Sequence, residues 1–228
     1  MSASRRAAVA AAWLLLSAAT AAGAAAQGRP TAAKDRYDEH FRKYSKRFFG
    51  VAWDWRLFKA QGMAESDLEA KARSYVGARG IMQLMPATFG EIRRRNGELR
   101  SIEDPETNIA AGIMHDRYLW RILPDTMTDD ERQRFMFASY NAGQGTIRRA
   151  RGTAKAEGLD HTRWTAIETV APKVQRWRYR ETLGYVRKIE VNHQNLVAPS
   201  DQTAARAMPR RADRKGIGAR ILARQLKQ

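Results

Sequence analysis

Two helix starts are spelled out in this chain, and they commit it to a mainly helical fold. Asp104-Pro105-Glu106 combines an N-cap acceptor, a proline at the first helical position and an acid in the first turn. Thr128-Asp129-Asp130-Glu131 has the spacing of a capping box. Pro86 suits a third start. Around these points apolar residues return at three- and four-residue steps, the period of a helix with one buried face. The predicted helices run from Asp35 to Phe49, from about Asp54 to Ser66, from Pro86 to about Arg95, from Asp104 to about Trp120, from Thr128 to Ser139, from Gln144 to Arg151 and over 181–196. In the first, Tyr37, Phe41, Tyr44 and Phe48 share a face, and Gly50 stops it. In the last, Leu183, Val186, Ile189 and Val191 are the candidate core residues. Tyr140-Asn141-Ala142-Gly143 is expected to break the helix before it. Residues 67–85, with glycines at 77 and 80, read as loop and short extended segments ending in Ile81-Met82-Gln83-Leu84-Met85. The expected class is mostly α, one domain over 35–198, with a small extended segment; no repeat is visible.

The chain has 43% hydrophobic residues, enough for a packed core, and no cysteine. The second fact excludes disulfides, thiolate metal sites, a cysteine nucleophile and a lipidated cysteine. The formal charge is +17, which draws such a chain to polyanions: nucleic acid, anionic headgroups or an acidic wall polymer. The N-terminus narrows these. Arg5 and Arg6 precede an apolar run from Ala7 to Ala22, and Ala24-Ala25-Ala26 before Gln27 is a small-residue cleavage site. Residues 1–26 are thus read as a cleavable export signal and 27–34 as a linker, the alternative being an uncleaved inner-membrane anchor. The expected location is the periplasm, where a basic protein meets wall and lipid before nucleic acid. Residues 199–228 carry eight basic residues against two acidic ones and read as a basic tail suited to anionic membrane or wall.

One carboxylate stands out. Trp55, Phe58, Gly62 and Glu65 are spaced three, four and three apart, so Glu65 shares a helical face with two aromatics, near the helix's C-terminal end. Burial disfavours its charged form, and the helix dipole opposes negative charge there. Such a group keeps its proton near neutral pH, as a general acid needs to. The plain alternative is a solvated glutamate at a helix end. No second carboxylate is paired with it by sequence: Asp67 and Glu69 lie in a loop, and Asp104 and Glu106 have a capping role. His40, His115, His161 and His193 have no metal-ligand spacing, and there is no phosphate loop or dinucleotide fingerprint, so no metal or cofactor is expected.

The order of short motifs adds to this. Glu65-Ser66, Ser74 and Gly77-Ala78-Arg79-Gly80-Ile81-Met82-Gln83-Leu84-Met85-Pro86 resemble the soluble lytic transglycosylase (SLT) family. Asp104-Pro105-Glu106-Thr107-Asn108-Ile109 with Gly112, Ser139-Tyr140-Asn141-Ala142-Gly143, and Glu181-Thr182-x-Gly-Tyr185-Val186 resemble its later blocks, so the likeness covers about residues 36–196. The resemblance implies a lysozyme-like domain with the extended segment beside a catalytic cleft, and peptidoglycan glycan strands as substrate. The export signal and the absence of a known binding module argue against a nucleic-acid partner. The resemblance also implies cleavage of the MurNAc–GlcNAc β-1,4 bond by one glutamate, Glu65, acting as acid and then as base to give 1,6-anhydromuramic ends. It places Ser74 near the muramic N-acetyl group, Gln83 and Met85 along the cleft, and the Tyr140 hydroxyl near the acid. Without the resemblance, Ser74 is a turn serine and Gln83 and Met85 are core. Asn141 is expected to fix its local turn through backbone bonds, and Glu181 and Tyr185 to shape the cleft floor, the alternative being that they simply pack. The family's usual aromatic and Asn-Pro after Glu-Ser are here Asp67-Leu68-Glu69, which bears on glycan preference. The alternatives are a lysozyme-type hydrolase of the same fold and a basic wall- or nucleic-acid-binding protein without catalysis.

Overall fold

A computed structural model describes residues 35–198. The expected export signal at 1–26, the linker at 27–34 and the basic tail at 199–228 lie outside the described residues. The described helices up to Asn195 belong to one compact unit; a second unit starts at Leu196, of which only 196–198 are described.

Among the described residues eight α-helices follow one another: α1 Asp38–Phe49, α2 Arg56–Ser66, α3 Pro86–Arg95, α4 Pro105–Arg121, α5 Asp129–Ala142, α6 Gln144–Ala156, α7 Trp164–Val170 and α8 Tyr179–Val197, with a 3-10 turn Ala171–Lys173 between the last two. The caps read from sequence are present. Asp104 accepts from the Thr107 amide at 2.8 Å, and Thr128 from the Glu131 amide at 3.4 Å. The second half of the capping box is missing. Glu131 Oε2 accepts instead from the Trp164 amide at 2.6 Å, so this acid ties the start of α7 to α5.

The core forms around α4, which packs against α1, α3 and α5. Ile109, Ile113 and Leu119 of α4 are sealed with Phe41 of α1, Phe58 of α2, and Phe135 and Met136 of α5. Burying that many large apolar side chains, at roughly 1.5–3 kcal/mol each, is the main force holding the helices together.

Four expectations change. α5 does not break at Tyr140; it runs through Ala142 and ends at Gly143, whose φ of +82° suits glycine. α6 continues past Arg151 to Ala156, because Ile147, Ala150 and Ala154 keep its buried stripe going. α7 was not foreseen; Trp164, Ile167 and Val170 form its short apolar stripe. In α8 Val191 is 48% exposed, and the buried side chains are Thr182, Tyr185, Val186 and Ile189.

Residues 67–85 make no named strand among the described residues. Two isolated antiparallel bridges, Arg73 with Arg79 and Arg79 with Leu84, are all that remains of the expected extended segment. Gly77, Gly80 and Gln83 have φ of +92°, +74° and +43°, so the chain turns too often to build a ladder.

Candidate active site

The segment holding the site is clamped by three helices. Asn108 of α4 accepts from the Met82 amide at 2.8 Å and donates to the Arg79 and Ile102 carbonyls at 3.0 and 2.9 Å. Ser66, the last residue of α2, donates to the Ile81 carbonyl at 2.9 Å. Tyr140 of α5 donates to the Met82 carbonyl at 2.7 Å. Gly112 lets the loop come this close to α4: a Cβ there would sit 2.7 Å from Met82 Cγ. Ile81 and Met82 are fully buried as a result.

Glu65 sits one residue before the end of α2. Asp67 and Leu68 follow in left-handed conformations, φ 53° and 65°, which turn the chain sharply away after the helix. The Glu65 side chain is buried on the apolar face predicted for it, at 8% exposure. Burial raises its pKa to about 8, against the opposing pull of a hydrogen bond from Tyr185 and the positive charge of Lys188. Tyr185 Oη donates to Glu65 Oε1 at 2.6 Å. Lys188, one turn on along α8, donates to the Ala64 carbonyl at 2.8 Å, so its ammonium covers the carbonyl end of α2 beside the acid. At pH 7 this carboxyl is mostly protonated, and a charge forming on it meets a hydroxyl donor and a cation.

The other anticipated residues are placed as follows. Tyr185 is on the acid. Tyr140 is close enough for the Glu65 charge to help push its own pKa well above the usual tyrosine value, burial being the larger cause; its hydroxyl proton goes to the Met82 carbonyl. Gln83, at 6% exposure, spends its amide protons on the Gly80 and Ala72 carbonyls at 2.8 and 3.2 Å, bracing the loop. Met85 is half-buried at the N-cap of α3. Ser74 Oγ accepts from the Ala78 amide at 2.9 Å and closes the turn before Gly80. Asn141 does not fix a local turn. It lies inside α5, and its Oδ1 accepts from Thr182 Oγ1 at 2.8 Å, while Thr182 accepts from Trp177 Nε1 at 2.9 Å. Asn141 thus ties α5 to α8, the helix that carries Tyr185. Glu181, half-buried at the start of α8, pairs with Arg178 at 3.3 Å.

Two residues near the acid escaped the sequence reading, Lys188 and Asp116, and Asn108 was read only as part of a motif, without its role as the clamp of the loop. Asp116 is fully buried in α4 and its carboxyl is pushed well above the usual range by burial, with the Glu65 charge adding to the push. The signal was available: Ile109, Ile113, Asp116 and Trp120 follow the helical period, which puts Asp116 on the core face. His115, next to it, packs edge-on against the Tyr140 ring at 5.3 Å. Burial lowers its pKa to about 4 and keeps it neutral. No group of three or more metal-binding side chains gathers among the described residues.

The arrangement sets a proton-holding carboxyl, backed by a hydroxyl donor and a lysine, beside a clamped loop. It is suited to giving a proton to a leaving oxygen and taking one back. Comparison with known proteins gives a consistent picture. The transglycosylase SLT domain matches residues 45–162. Membrane-bound lytic murein transglycosylase F of Shewanella pealeana is 32% identical over 160 residues, 69% of this chain; the chain spans only 31% of that relative's length. Among solved structures, the 70 kDa soluble lytic transglycosylase from Escherichia coli is similar with a TM-score of 0.54 and 25% identity, over 70% of this chain and 24% of that one. An inactive mutant of lytic transglycosylase Slt from Pseudomonas aeruginosa is similar with a TM-score of 0.55 and 25% identity, over 72% and 25%. The mostly helical class expected from sequence is the one these neighbours share.

Proposed function

The chain belongs to the transglycosylase SLT domain family, and from that membership we propose that it is a peptidoglycan lytic transglycosylase with Glu65 as its acid and base. The observation that carries this reading is the Glu65 carboxyl, buried on α2 with its pKa raised by that burial to about 8, and with Tyr185 bonded to it.

The reaction proceeds in two steps. Glu65 gives its proton to the glycosidic oxygen of the departing N-acetylglucosamine. The N-acetyl oxygen of the muramic residue attacks its own C1 as the C1–O bond breaks. Glu65, now a carboxylate, removes the proton from the C6 hydroxyl. O6 then attacks C1, the N-acetyl oxygen leaves, and a 1,6-anhydro ring closes. Glu65 ends protonated as it began, and no water is consumed. The Tyr185 hydroxyl and the Lys188 charge stabilise the carboxylate between the steps. Ser74, Gln83 and Met85 lie along the loop clamped beside Glu65, which supports their place next to the sugars. Tyr140 and Asn141 support the walls from α5, and Glu181 supports the start of α8.

The cell envelope is the location this activity requires, with residues 1–26 as the export signal and 199–228 as a basic contact to wall or anionic membrane. No described helix is long and apolar enough to cross a membrane. Mass spectrometry of muropeptides released from purified sacculi tests the reading. Anhydromuramic ends are expected; reducing ends would make the protein a lysozyme-type hydrolase, and no release would leave it a wall binder.

A further inference from the structure

Asp116 has no part in the two steps above, yet it is fully buried. Among the described residues its hydrogen-bond partner is Gln61 of α2, also fully buried, whose Nε2 donates to Asp116 Oδ1 over 3.3 Å. Among the described residues two buried oxygens of this same pair have no hydrogen bond, Asp116 Oδ2 and Gln61 Oε1. An ionised Asp116 offers only acceptors, so it cannot satisfy the Gln61 oxygen, and a buried unpaired acceptor costs about 1–3 kcal/mol. One proton on Oδ2 removes both deficits. A carboxylic acid and a primary amide then close a ring of two hydrogen bonds, N–H to the acid carbonyl and O–H to the amide oxygen.

The surroundings favour the neutral form. Among the described residues the titratable groups whose charge interacts with Asp116 are Glu65 from α2, Tyr140 from α5 and Tyr185 from α8, none of them a cation. Arg132 of α5 is engaged with the Trp120 carbonyl and Asp125. From α1, Lys43 and Tyr44 are engaged with Glu106 at the far end of α4. The three arginines that end α3 are exposed. On α4 itself, the Arg117 guanidinium lies over the Phe49 ring at 5.3 Å, and His115 is neutral. Burial without a cation pushes a carboxyl upward.

We infer that Asp116 is a second carboxylic acid that stays neutral behind Glu65, and that its pairing with Gln61 positions the catalytic turn of α2. Gln61 stands four residues before Glu65, one turn along the same helix face, so a two-bond pair with α4 fixes the register from which Glu65 projects. The inference rests on the proposed role of Glu65. It also supplies something that role needs. When Glu65 becomes a carboxylate, a second anion nearby would oppose it, whereas a neutral Asp116 leaves Tyr185 and Lys188 to stabilise the charge.

The test is carbon-13 NMR of the full chain labelled at its aspartate carboxyls, titrated through neutral pH, with the Asp116 resonance assigned by its loss in D116N. A resonance that stays at the protonated-acid position is expected; one at the carboxylate position overturns the inference. This readout is independent of turnover, so it stands or falls apart from the transglycosylase reading, which muropeptide products decide. Two rate measurements complete it. D116N rebuilds the two-bond ring with an amide, so the alkaline limb of its pH–rate profile keeps the wild-type position; a limb moved to lower pH means a negative charge was removed, and overturns neutrality. D116A leaves Gln61 unanchored and loses on the order of 10²-fold in rate, with D116N recovering most of it. D116A and D116N of equal activity would overturn the positioning role.

Discussion

Tyr185 Oη lies 2.6 Å from Glu65 Oε1, a hydrogen bond between residues 120 positions apart in the chain. It joins the end of α2 to α8 and acts on the acid in a definite direction. A donor to a carboxyl favours its charged form, so this bond pulls the Glu65 pKa down while burial holds it up. Tyr185→Phe is therefore expected to move the alkaline limb of activity to higher pH. It also lowers the rate of ring closure, where Glu65 is anionic. A hydrogen bond to a charged group is worth about 1.5–3 kcal/mol, so the loss in kcat is roughly 10- to 100-fold. Full wild-type kcat with an unmoved limb would show that the bond has no role in the chemistry.

Glu65→Gln keeps the side-chain shape and cannot donate the proton. Release of muropeptides from sacculi is expected to fall by about 10²–10⁴-fold, the usual contribution of general acid–base catalysis.

The same substitution has a signed effect on stability. The folded pKa of about 8 lies above 4.5, the ordinary value of an exposed glutamate. In that window the folded state binds more protons than the unfolded state, so wild-type stability falls as pH rises through it. The neutral amide has no such dependence. The melting temperature of Glu65→Gln relative to wild type should therefore rise between those two pH values and level off above them. A constant difference across the window would show that Glu65 is not raised.

The pH–rate profile of the wild type is expected to be high at neutral pH and to fall through about pH 8, as the acid loses its proton. Initial rates on soluble glycan fragments check this, with chemistry shown to be rate-limiting. An alkaline limb near the ordinary glutamate value would mean that the pKa of the acid is not raised.

Asn108→Ala removes the three bonds that hold Arg79, Met82 and Ile102 to α4. The buried backbone groups left behind cost about 1–3 kcal/mol each, and the loop beside Glu65 loses its clamp. Denaturant unfolding should show a loss of roughly 3 kcal/mol or more, with activity falling further than stability alone explains. A stable, fully active variant would remove Asn108 from the list of residues that build the site.

Deleting residues 199–228 tests the basic tail. Binding to sacculi or anionic vesicles at low salt is expected to drop with the loss of eight basic residues, and the difference to fade as salt rises, because exposed charges act only over a screening length of about 8–10 Å at physiological salt. Cleavage of short glycan fragments is expected to stay. Unchanged binding would make the tail a solubilising segment.

What could be read along the chain was what local chemistry decides. Asp104, Pro105 and Thr128 start helices through atoms within three residues of themselves. Glu65 was legible because helix periodicity alone places it in line with Phe58 and Gly62, and its raised pKa follows from that burial. The order of the motifs was enough to name the family. What the tertiary structure decided were meetings between distant segments. Nothing in the chain says that the hydroxyl reaching the acid belongs to Tyr185 while that of Tyr140 goes to Met82; both are tyrosines on buried faces, and only the packing of α5 and α8 against the loop separates them. Asn141 looked like a turn former because asparagine often is one, yet Thr182 on α8 claims its side chain and α5 carries on through it. Glu131 promised a reciprocal cap, and the amide of Trp164 took its carboxylate instead. Asp116 could be placed on the core face by counting, but its pairing with Gln61 needed α2 and α4 brought side by side. A local interaction is encoded by spacing, whereas a polar partner in the core is chosen by which buried groups the closed fold brings within reach.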